Sequence, residues 1–328
     1  MNIDEIVVKK GENEMTPTIC AVVLNWNNYR DTKECVESLL KSSLPLAAVI
    51  IVDNASKDGS NDKLKRDFKD FASVYFIENP DNYGFAKGVN MGLRFALEKG
   101  AEYVLLLNND AVINVDCIEK LYEALINEPK AAIDGPKILY YKMPQRIWTG
   151  ESNFSYLKTG IISLQKNKID DGKDRAIKEV TFLTGCTMLI KKSLFEKIGF
   201  FDEDYFFYYE DVDFCLRTIK GGFKILYVPS AKVWHKIGTT SETRTSEFYV
   251  YHMGRSHILF LRKNFSGFYF IYGVMLVFFF FTPFRILQII HGSKSCKAVL
   301  GWFRGIFAGF SQSIMKGGRN IYENRTRQ

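Results

Sequence analysis

The stretch Leu105-Leu106-Leu107-Asn108-Asn109-Asp110 runs three leucines into two amides and a carboxylate. A continuous apolar run of this kind suits a strand covered on both faces, as in a parallel sheet. It stops at a polar edge. In open α/β sheets, ligands bind just beyond the carboxyl ends of such strands. Asp110 then stands at a mouth where a metal or a polar ligand can sit. The alternative is a buried strand that ends in an ordinary Asn/Asp turn. The surrounding chain has to separate the two.

Upstream, the pattern repeats. Ile19 to Leu24 reads as a buried strand ending in Asn25-Trp26-Asn27-Asn28. Asp31 to Lys41 has helical periodicity, with Cys35, Leu39 and Leu40 inward. Val49 to Val52 is a second strand, followed by the hydrogen-bonding loop Asp53 to Ser60 and a helix at about Asn61 to Phe71. Val74 to Ile77 is a third, ending at Asn79-Pro80-Asp81-Asn82. Gly84, Gly88 and Gly92 then have helical spacing, which lets a helix start lie close against backbone or ligand. This helix runs to Lys99 and stops at Gly100. The alternation predicts a parallel, doubly wound sheet whose strand ends share one side. Asp53 there either accepts from a nucleobase N–H or ribose hydroxyl, or closes an Asx turn. Asp110 can hold a divalent metal that bridges diphosphate oxygens.

Downstream, a helix is expected at Asp116 to Asn127 and a strand at Ala131 to Tyr140. Residues 142–178 are weakly patterned and read as loops or a small hairpin. Val180 to Ile190 resumes strand character, and Ser193 to Ile198 is a short helix. A further helix starts near Tyr209 and runs to Lys220, with Asp213 and Arg217 spaced to pair. Glu210-Asp211 sit at its start among aromatic residues. Acids there stabilise the helix dipole by roughly 0.3–1 kcal/mol. A carboxylate in an aromatic pocket also becomes a stronger base, and the two roles are compatible. Lys224 to Val228 is a strand that Pro229 is expected to break before Val233-Trp234-His235. His235, with Gly238-Thr239-Thr240 behind it, is either a packed core histidine or a ligand.

Several chemistries are disfavoured. No GxxxxGK[ST] loop occurs, no GxGxxG follows the first strand, and no G-x-S-x-G elbow is present. The six cysteines have no CxxC pair, which suits packed thiols in a reducing compartment rather than zinc or disulfides. Charge is uneven. Residues 252–328 carry eleven Lys/Arg against Glu323, while residues 1–251 carry 33 basic and 36 acidic residues. Such a tail meets something anionic. No nucleic-acid partner is expected, because no base-reading module accompanies the charge. Phe268 to Phe284 is uncharged for seventeen residues, and Ala298 to Met315 is a second apolar segment containing Arg304. Together they read as a hairpin on an anionic membrane surface. The alternative is an amphipathic pair packed on the catalytic domain or on a second subunit, giving a homo-oligomer. Met1 to Thr18 is charged and lacks an apolar signal-peptide core, so a mobile leader is expected.

The motifs Val22 to Asn27, Val52 to Ser60, Asn82 to Asn90, Leu107 to Asp110 and Asp202 to Arg217 resemble the family 2 glycosyltransferases, in their rhamnosyltransferase-like branch. The resemblance spans about residues 18–260. It implies a GT-A fold, an α/β Rossmann-like and mainly parallel sheet flanked by helices, to which the segments above add a C-terminal helical, membrane-associating tail. The implied divisions are a leader at 1–17, a catalytic domain at 18–250 and a tail at 251–328. The donor half is 18–112 and the acceptor half 113–250. It further implies inverting transfer of one sugar, with rhamnose a candidate, from a dTDP- or UDP-sugar to a lipid-linked or cell-surface glycan on the cytoplasmic side of the membrane. Donor contacts are implied for Asn25, Asn27, Asp53, Asn54 and Ser56, for Asn82, Ala86, Lys87 and Asn90, and for Asn108 and Asn109. Asp110 and His235 are the implied ligands of Mg²⁺ or Mn²⁺, Asp211 the catalytic base, and Glu210 its neighbour. One departure is clear: Asn108 stands where the family's DXD motif begins with an acid. The QxxRW motif of processive polymerases is absent, which favours single-sugar addition. A sugar-nucleotide pyrophosphorylase would need a Gly-rich, Arg-containing loop after the first strand, and Asn25-Trp26-Asn27-Asn28 supplies none. A membrane-tethered, non-catalytic glycan-binding protein would not need Asp110 and Asp211 together.

Overall fold

Four strands carry the first half of the chain: β1 (Ile19–Asn25), β2 (Ala48–Asp53), β3 (Val74–Glu78) and β4 (Tyr103–Asn108). They run parallel in the order β4-β1-β2-β3, with Asn25 opposite Asp53 and Leu24 opposite Asn108. The polar strand ends are therefore level. This is a computed structural model, and it describes residues 17–236 and 245–311. Residues 1–16 of the expected leader, Gly238-Thr239-Thr240 and the end of the second apolar tail segment lie outside the described residues.

Successive strand residues face opposite sides, and both sides are covered. Val22, Val52 and Leu106 pack against Val89 and Leu93 of α3 (Gly84–Glu98). Val23, Ile51, Leu105 and Leu107 pack against Val36 and Leu39 of α1 (Tyr29–Leu40), and against Leu121 and Leu125 of α4 (Cys117–Asn127). Each such side chain contributes about 1.5–3 kcal/mol when fully buried, which is why the strands read as unbroken apolar runs. The short α2 (Ser60–Asp67) follows β2. A Cβ on Gly92 would lie 2.8 Å from Val52 Cγ2, so the glycine stripe brings α3 down onto the sheet.

The second half extends the sheet with mixed polarity. β5 (Ala111–Ile113) and β6 (Ala131–Tyr140) are followed by β7 (Met143–Thr149), the hairpin β8 (Ser152–Ser155) with β9 (Gly160–Ser163), β10 (Lys178–Val180), β11 (Thr187–Lys191) and β12 (Lys224–His235). β11 lies antiparallel between β4 and β6, and β12 runs parallel to β6. α5 (Lys192–Ile198) and α6 (Glu210–Lys220) lie between β11 and β12.

Two expectations are corrected here. Pro229 does not end β12. The register with β6 shifts between Val228 and Lys232, and the proline sits in that irregularity, where no ladder donor is needed. Val180 to Ile190 is not one strand: the chain leaves the sheet between β10 and β11, where Gly185 N–H donates to the Asp211 carboxylate at 3.0 Å. The weakly patterned 142–178 stretch is a strand and a hairpin, pinned by a buried Lys137–Asp170 ion pair at 2.7 Å.

α7 (Glu247–Asn264) buries Val250, Ile258, Phe260 and Leu261. α8 (Gly267–His291) is one apolar helix of 25 residues with a π-helical turn at Val277–Phe281. α9 (Cys296–Ser311) packs on α7, where Gly305 and Gly309 meet the Tyr251 and Arg255 carbonyls too closely for any Cβ.

Candidate active site

The loops after β1, β2 and β3 are tied to each other by amides. Asn25 is completely buried; its amide donates to Asp53 Oδ1 at 2.7 Å and Ser60 Oγ at 3.0 Å, and its oxygen accepts from Thr32 Oγ1 at 2.8 Å. Asp53 Oδ2 accepts the Ser56 N–H, three residues on, at 2.9 Å, which braces the start of the loop. Asn54 Nδ2 donates to Asn82 Oδ1 at 2.8 Å, and Asn54 Oδ1 accepts from Asn79 Nδ2 and the Tyr83 N–H, both at 3.1 Å. These residues shape the donor loops from within. Ala86 and Asn90 are fully buried as well. Both ends of the Asn90 amide bond Phe201 and Glu203, which ties α3 to the loop before α6.

The loops enclose a cavity of about 430 Å³ lined by Trp26, Asn27, Ala55, Lys57, Pro80, Asp81 and Asn82. Asn27 Oδ1 accepts the Lys57 N–H at 2.7 Å, and Ser56 Oγ accepts the Asn27 N–H at 2.9 Å, which fixes one wall. Lys87 Nζ lies 3.8 Å from the Tyr83 ring centroid, a cation–π contact at the start of α3. Trp26 and Asn82 also line a second cavity of about 270 Å³. Its polar side is Asn108-Asn109-Asp110, and its apolar wall is Phe85, Phe206, Phe207 and Phe248. Asn109 Nδ2 donates to Thr32 Oγ1 at 2.9 Å, so the turn after β4 is anchored to α1.

Asp110 Oδ1 and His235 Nε2 lie 2.8 Å apart. Burial opposes charge on the ring, but the Cys186 sulfur and the Asp110 carboxylate outweigh it, and the His235 pKa is raised to about 10. Trp148 packs over the ring, with centroids 4.6 Å apart. Without a metal the ring therefore carries a proton toward Asp110, and a divalent ion held by Asp110 and His235 would displace it. Among the described residues no cluster of three or more His, Cys, Asp or Glu is placed to hold one. Among the described residues Asp110 and His235 therefore supply two candidate ligands, a number that fits a divalent ion shared with a substrate.

Glu210 and Asp211 open α6 beyond Phe85: Gly185 lies between the Phe85 ring and Asp211 Cβ. Asp211 accepts from the Gly185 N–H at 3.0 Å and the Val212 N–H at 2.8 Å. Burial raises its pKa despite these donors. Glu210 is raised well above the carboxylate range, by burial first and by the Asp211 charge second. The expected Asp213–Arg217 pair forms at 2.7 Å and is structural, since Arg217 also donates to the Ile198 and Phe200 carbonyls.

Sequence patterning did not mark Phe206, Phe207 and Phe248 as cavity walls. The only signal was their aromatic density, and Phe248 reaches the cavity from α7. Trp26, Ala55, Lys57 and Asp81 were likewise visible only as loop residues. Ala55 has φ 58°, a left-handed turn in the floor of the first cavity.

The fold and the paired acidic centres define the class: an enzyme of GT-A glycosyltransferase architecture. The chain belongs to glycosyl transferase family 2, whose model matches residues 20–199. It is 29% identical over 263 residues to a dTDP-rhamnosyl transferase of Shigella flexneri, covering 76% of this chain and 82% of that one. It is 26% identical over 275 residues to the N-acetylglucosaminyl-diphospho-decaprenol L-rhamnosyltransferase of Mycobacterium tuberculosis, covering 77% and 87%. A low-salt glycan biosynthesis hexosyltransferase of Haloferax volcanii is 28% identical, and the match spans 64% of each chain. GalNAc-T7, solved with UDP, GalNAc and Mn²⁺, has the same fold at a TM-score of 0.58 and 15% identity, covering 84% of this chain and 58% of that one. A Pyrobaculum calidifontis mannosyltransferase in complex with GDP-Man and Mn²⁺ has a TM-score of 0.55 at 13% identity, covering 93% and 89%.

Proposed function

We propose that the protein is an inverting, single-addition glycosyltransferase. It moves a sugar, with rhamnose the leading candidate, from a dTDP- or UDP-linked donor to a lipid-linked or cell-surface glycan acceptor. The observation that carries this reading is the two cavities joined through Trp26 and Asn82, which end at Asp110 on one side and the Phe85 wall before Asp211 on the other. The first cavity takes the nucleoside, between Trp26 and Pro80 with Asn27 and Lys57 at its edge. The second takes the diphosphate and the sugar. Asp211 accepts the proton of the acceptor hydroxyl as its oxygen attacks the anomeric carbon. The bond from that carbon to the diphosphate oxygen breaks on the opposite face, which inverts the centre. A raised pKa makes Asp211 a stronger base than a solvated carboxylate, while the Gly185 and Val212 N–H groups keep it oriented. Mg²⁺ or Mn²⁺ held by Asp110 and His235 offsets the leaving diphosphate charge when bound. The phenylalanine wall excludes water from the sugar, which suppresses donor hydrolysis.

The tail supports a place on the cytoplasmic face of an anionic membrane, where a lipid-linked acceptor is presented. A thermal-shift panel of dTDP-rhamnose, UDP-sugars and GDP-sugars, each with and without Mn²⁺, tests the donor. The expected result is a rise in Tm with a dTDP- or UDP-sugar that grows when Mn²⁺ is added. A shift with GDP-sugars alone, or with none, overturns it.

A further inference from the structure

One apolar surface of this protein is built from two distant parts of the chain. α8 turns Phe268, Tyr269, Ile271, Met275, Phe279 and Phe280 outward, each more than half exposed. The tip of the β8–β9 hairpin adds Tyr156 and Leu157, the latter 72% exposed. The two elements meet. Tyr272 Oη donates to the Leu157 carbonyl at 3.0 Å, and Phe268 stacks on Tyr272 with centroids 6.2 Å apart. Phe154 and Tyr156 also pack on Phe265, at the entrance to α8.

The opposite face of α8 is fixed to the protein. A Cβ on Gly273 would come within 2.7 Å of Leu261 in α7. Trp302 Nε1 of α9 donates to Thr282 Oγ1 at 3.0 Å, and the Arg285 guanidinium lies 5.5 Å from both the Tyr249 and Trp302 rings. These contacts tie both ends of the helix down. A helix of this length is about 37 Å long, enough to cross a hydrocarbon core of about 30 Å. Crossing would strip those contacts or drag Arg285 and its partners into the core. A helix with one face docked and one face apolar belongs in the plane of the interface.

Charge selects the occupant. Residues 245–311 carry seven Lys/Arg and one acid, Glu247. Lys294 and Lys297 are exposed just past the end of α8, Arg304 is exposed on α9, and Lys158 flanks the hairpin tip. A rim of this sign repels a second copy of the chain and attracts anionic headgroups. We propose that α8 and the Tyr156-Leu157 tip form a two-point platform that lies flat in the headgroup–acyl boundary of an anionic bilayer and does not cross it. This rests on the membrane placement given under the proposed function and specifies its geometry. α7 is the layer between platform and site: Arg255 and Ser256 donate to the Asp204 and Phe207 carbonyls, and Phe248 lines the second cavity.

The test uses the full chain added to the outside of sealed phosphatidylglycerol vesicles. Cys296 is exposed beyond one end of α8, and the other five cysteines are buried. Ser266→Cys places a second thiol at the other end. An impermeant maleimide is expected to label both positions from outside; protection of either until detergent is added overturns the flat geometry. Leu157→Asp is expected to weaken vesicle binding roughly tenfold, as loss of a buried leucine implies. Ile126→Asp, at an exposed site on α4, is expected to leave it unchanged. Full binding by Leu157→Asp, equal binding to phosphatidylcholine vesicles, or self-association without vesicle binding each overturns the proposal. The donor-induced Tm shift of Leu157→Asp is expected to match wild type. It reads the catalytic assignment separately, so failure of one does not imply failure of the other.

Discussion

His235 Nε2 stands 2.8 Å from Asp110 Oδ1 across 125 residues of chain. The pairing is built by the backbone. Ala111 in β5 faces His235 in β12, and the Lys236 N–H donates to the Asp110 carbonyl at 2.8 Å. The Lys236 ammonium then bonds Asp31 at 2.8 Å and Glu34, which clamps the end of β12 to α1. With Asn108 ahead of it, Asp110 is the one carboxylate of its turn. Asp110→Asn and His235→Ala are each expected to weaken Mn²⁺ binding about 10–100-fold in the presence of nucleoside diphosphate. Titration calorimetry measures this, and wild-type affinity in both variants removes the pair from the metal site.

Asp211→Asn keeps the shape of the side chain and removes its basicity. Transfer should fall about 10²–10⁴-fold in kcat. Donor affinity should stay within about twofold, because Asp211 lies beyond the cavity walls that meet the nucleotide. A variant that turns over like wild type would place the base elsewhere.

The four parallel strands were legible because their physics is local. Leu105 to Leu107 lie between two helical layers, so the apolar run and the polar stop after it both appear in the sequence. The amides carry a second layer that patterning does not show: Asn25, Asn54 and Asn90 read as donor contacts, and their side chains also tie loops to one another. α7 was invisible because it is buried on nearly all sides and shows no clean periodicity. His252 and His257 stack on Phe206 and Tyr209, and Arg255 and Ser256 bond main-chain carbonyls. Such partners exist only in three dimensions. The same holds for His235, whose partner Asp110 lies 125 residues away and is brought beside it by the pairing of β5 with β12.

Glu210 gives a pH signature in stability. It is 7% exposed, its Oε2 has no hydrogen-bond partner among the described residues, and burial and Asp211 raise its pKa well above the ordinary value. A carboxyl raised on folding favours the native state below its unfolded pKa, and that stability is lost as pH rises toward the folded pKa. Glu210→Gln removes the penalty. Its Tm should exceed wild type by a few °C at pH 8, and the gap should shrink toward pH 5. Differential scanning calorimetry at both pH values decides, and a pH-independent gap refutes the assignment.

The Lys137–Asp170 pair anchors the 142–178 segment. Their side chains are 1% and 5% exposed, and Lys232 adds a second contact to Asp170 at 2.8 Å. Removing one partner of a buried pair strands the other charge. Lys137→Ala should cost about 3–5 kcal/mol in urea unfolding. Lys232→Ala, at a side chain that is a third exposed, should cost at most about 1 kcal/mol. Equal costs would mean that the interior pair is solvated.

Gly84 tests how tightly the loop before Glu210 is held. It has φ +74°, and a Cβ there would overlap the Phe206 carbonyl oxygen, which accepts the Phe85 N–H at 2.8 Å. That carbonyl belongs to the loop leading to Tyr208 and Tyr209, both left-handed at φ 68° and 70°, immediately before Glu210. Non-glycine residues keep such angles only where neighbours over-determine them. Gly84→Ala should therefore push the loop away from α3 and lower kcat at least about tenfold. Gly100→Ala is the matched control: φ is +85° and nothing lies within 4 Å of its Cβ. It should show the left-handed cost of about 1 kcal/mol without a change in kcat. If both variants lose only stability, the Phe206 contact does not position the Glu210-Asp211 pair.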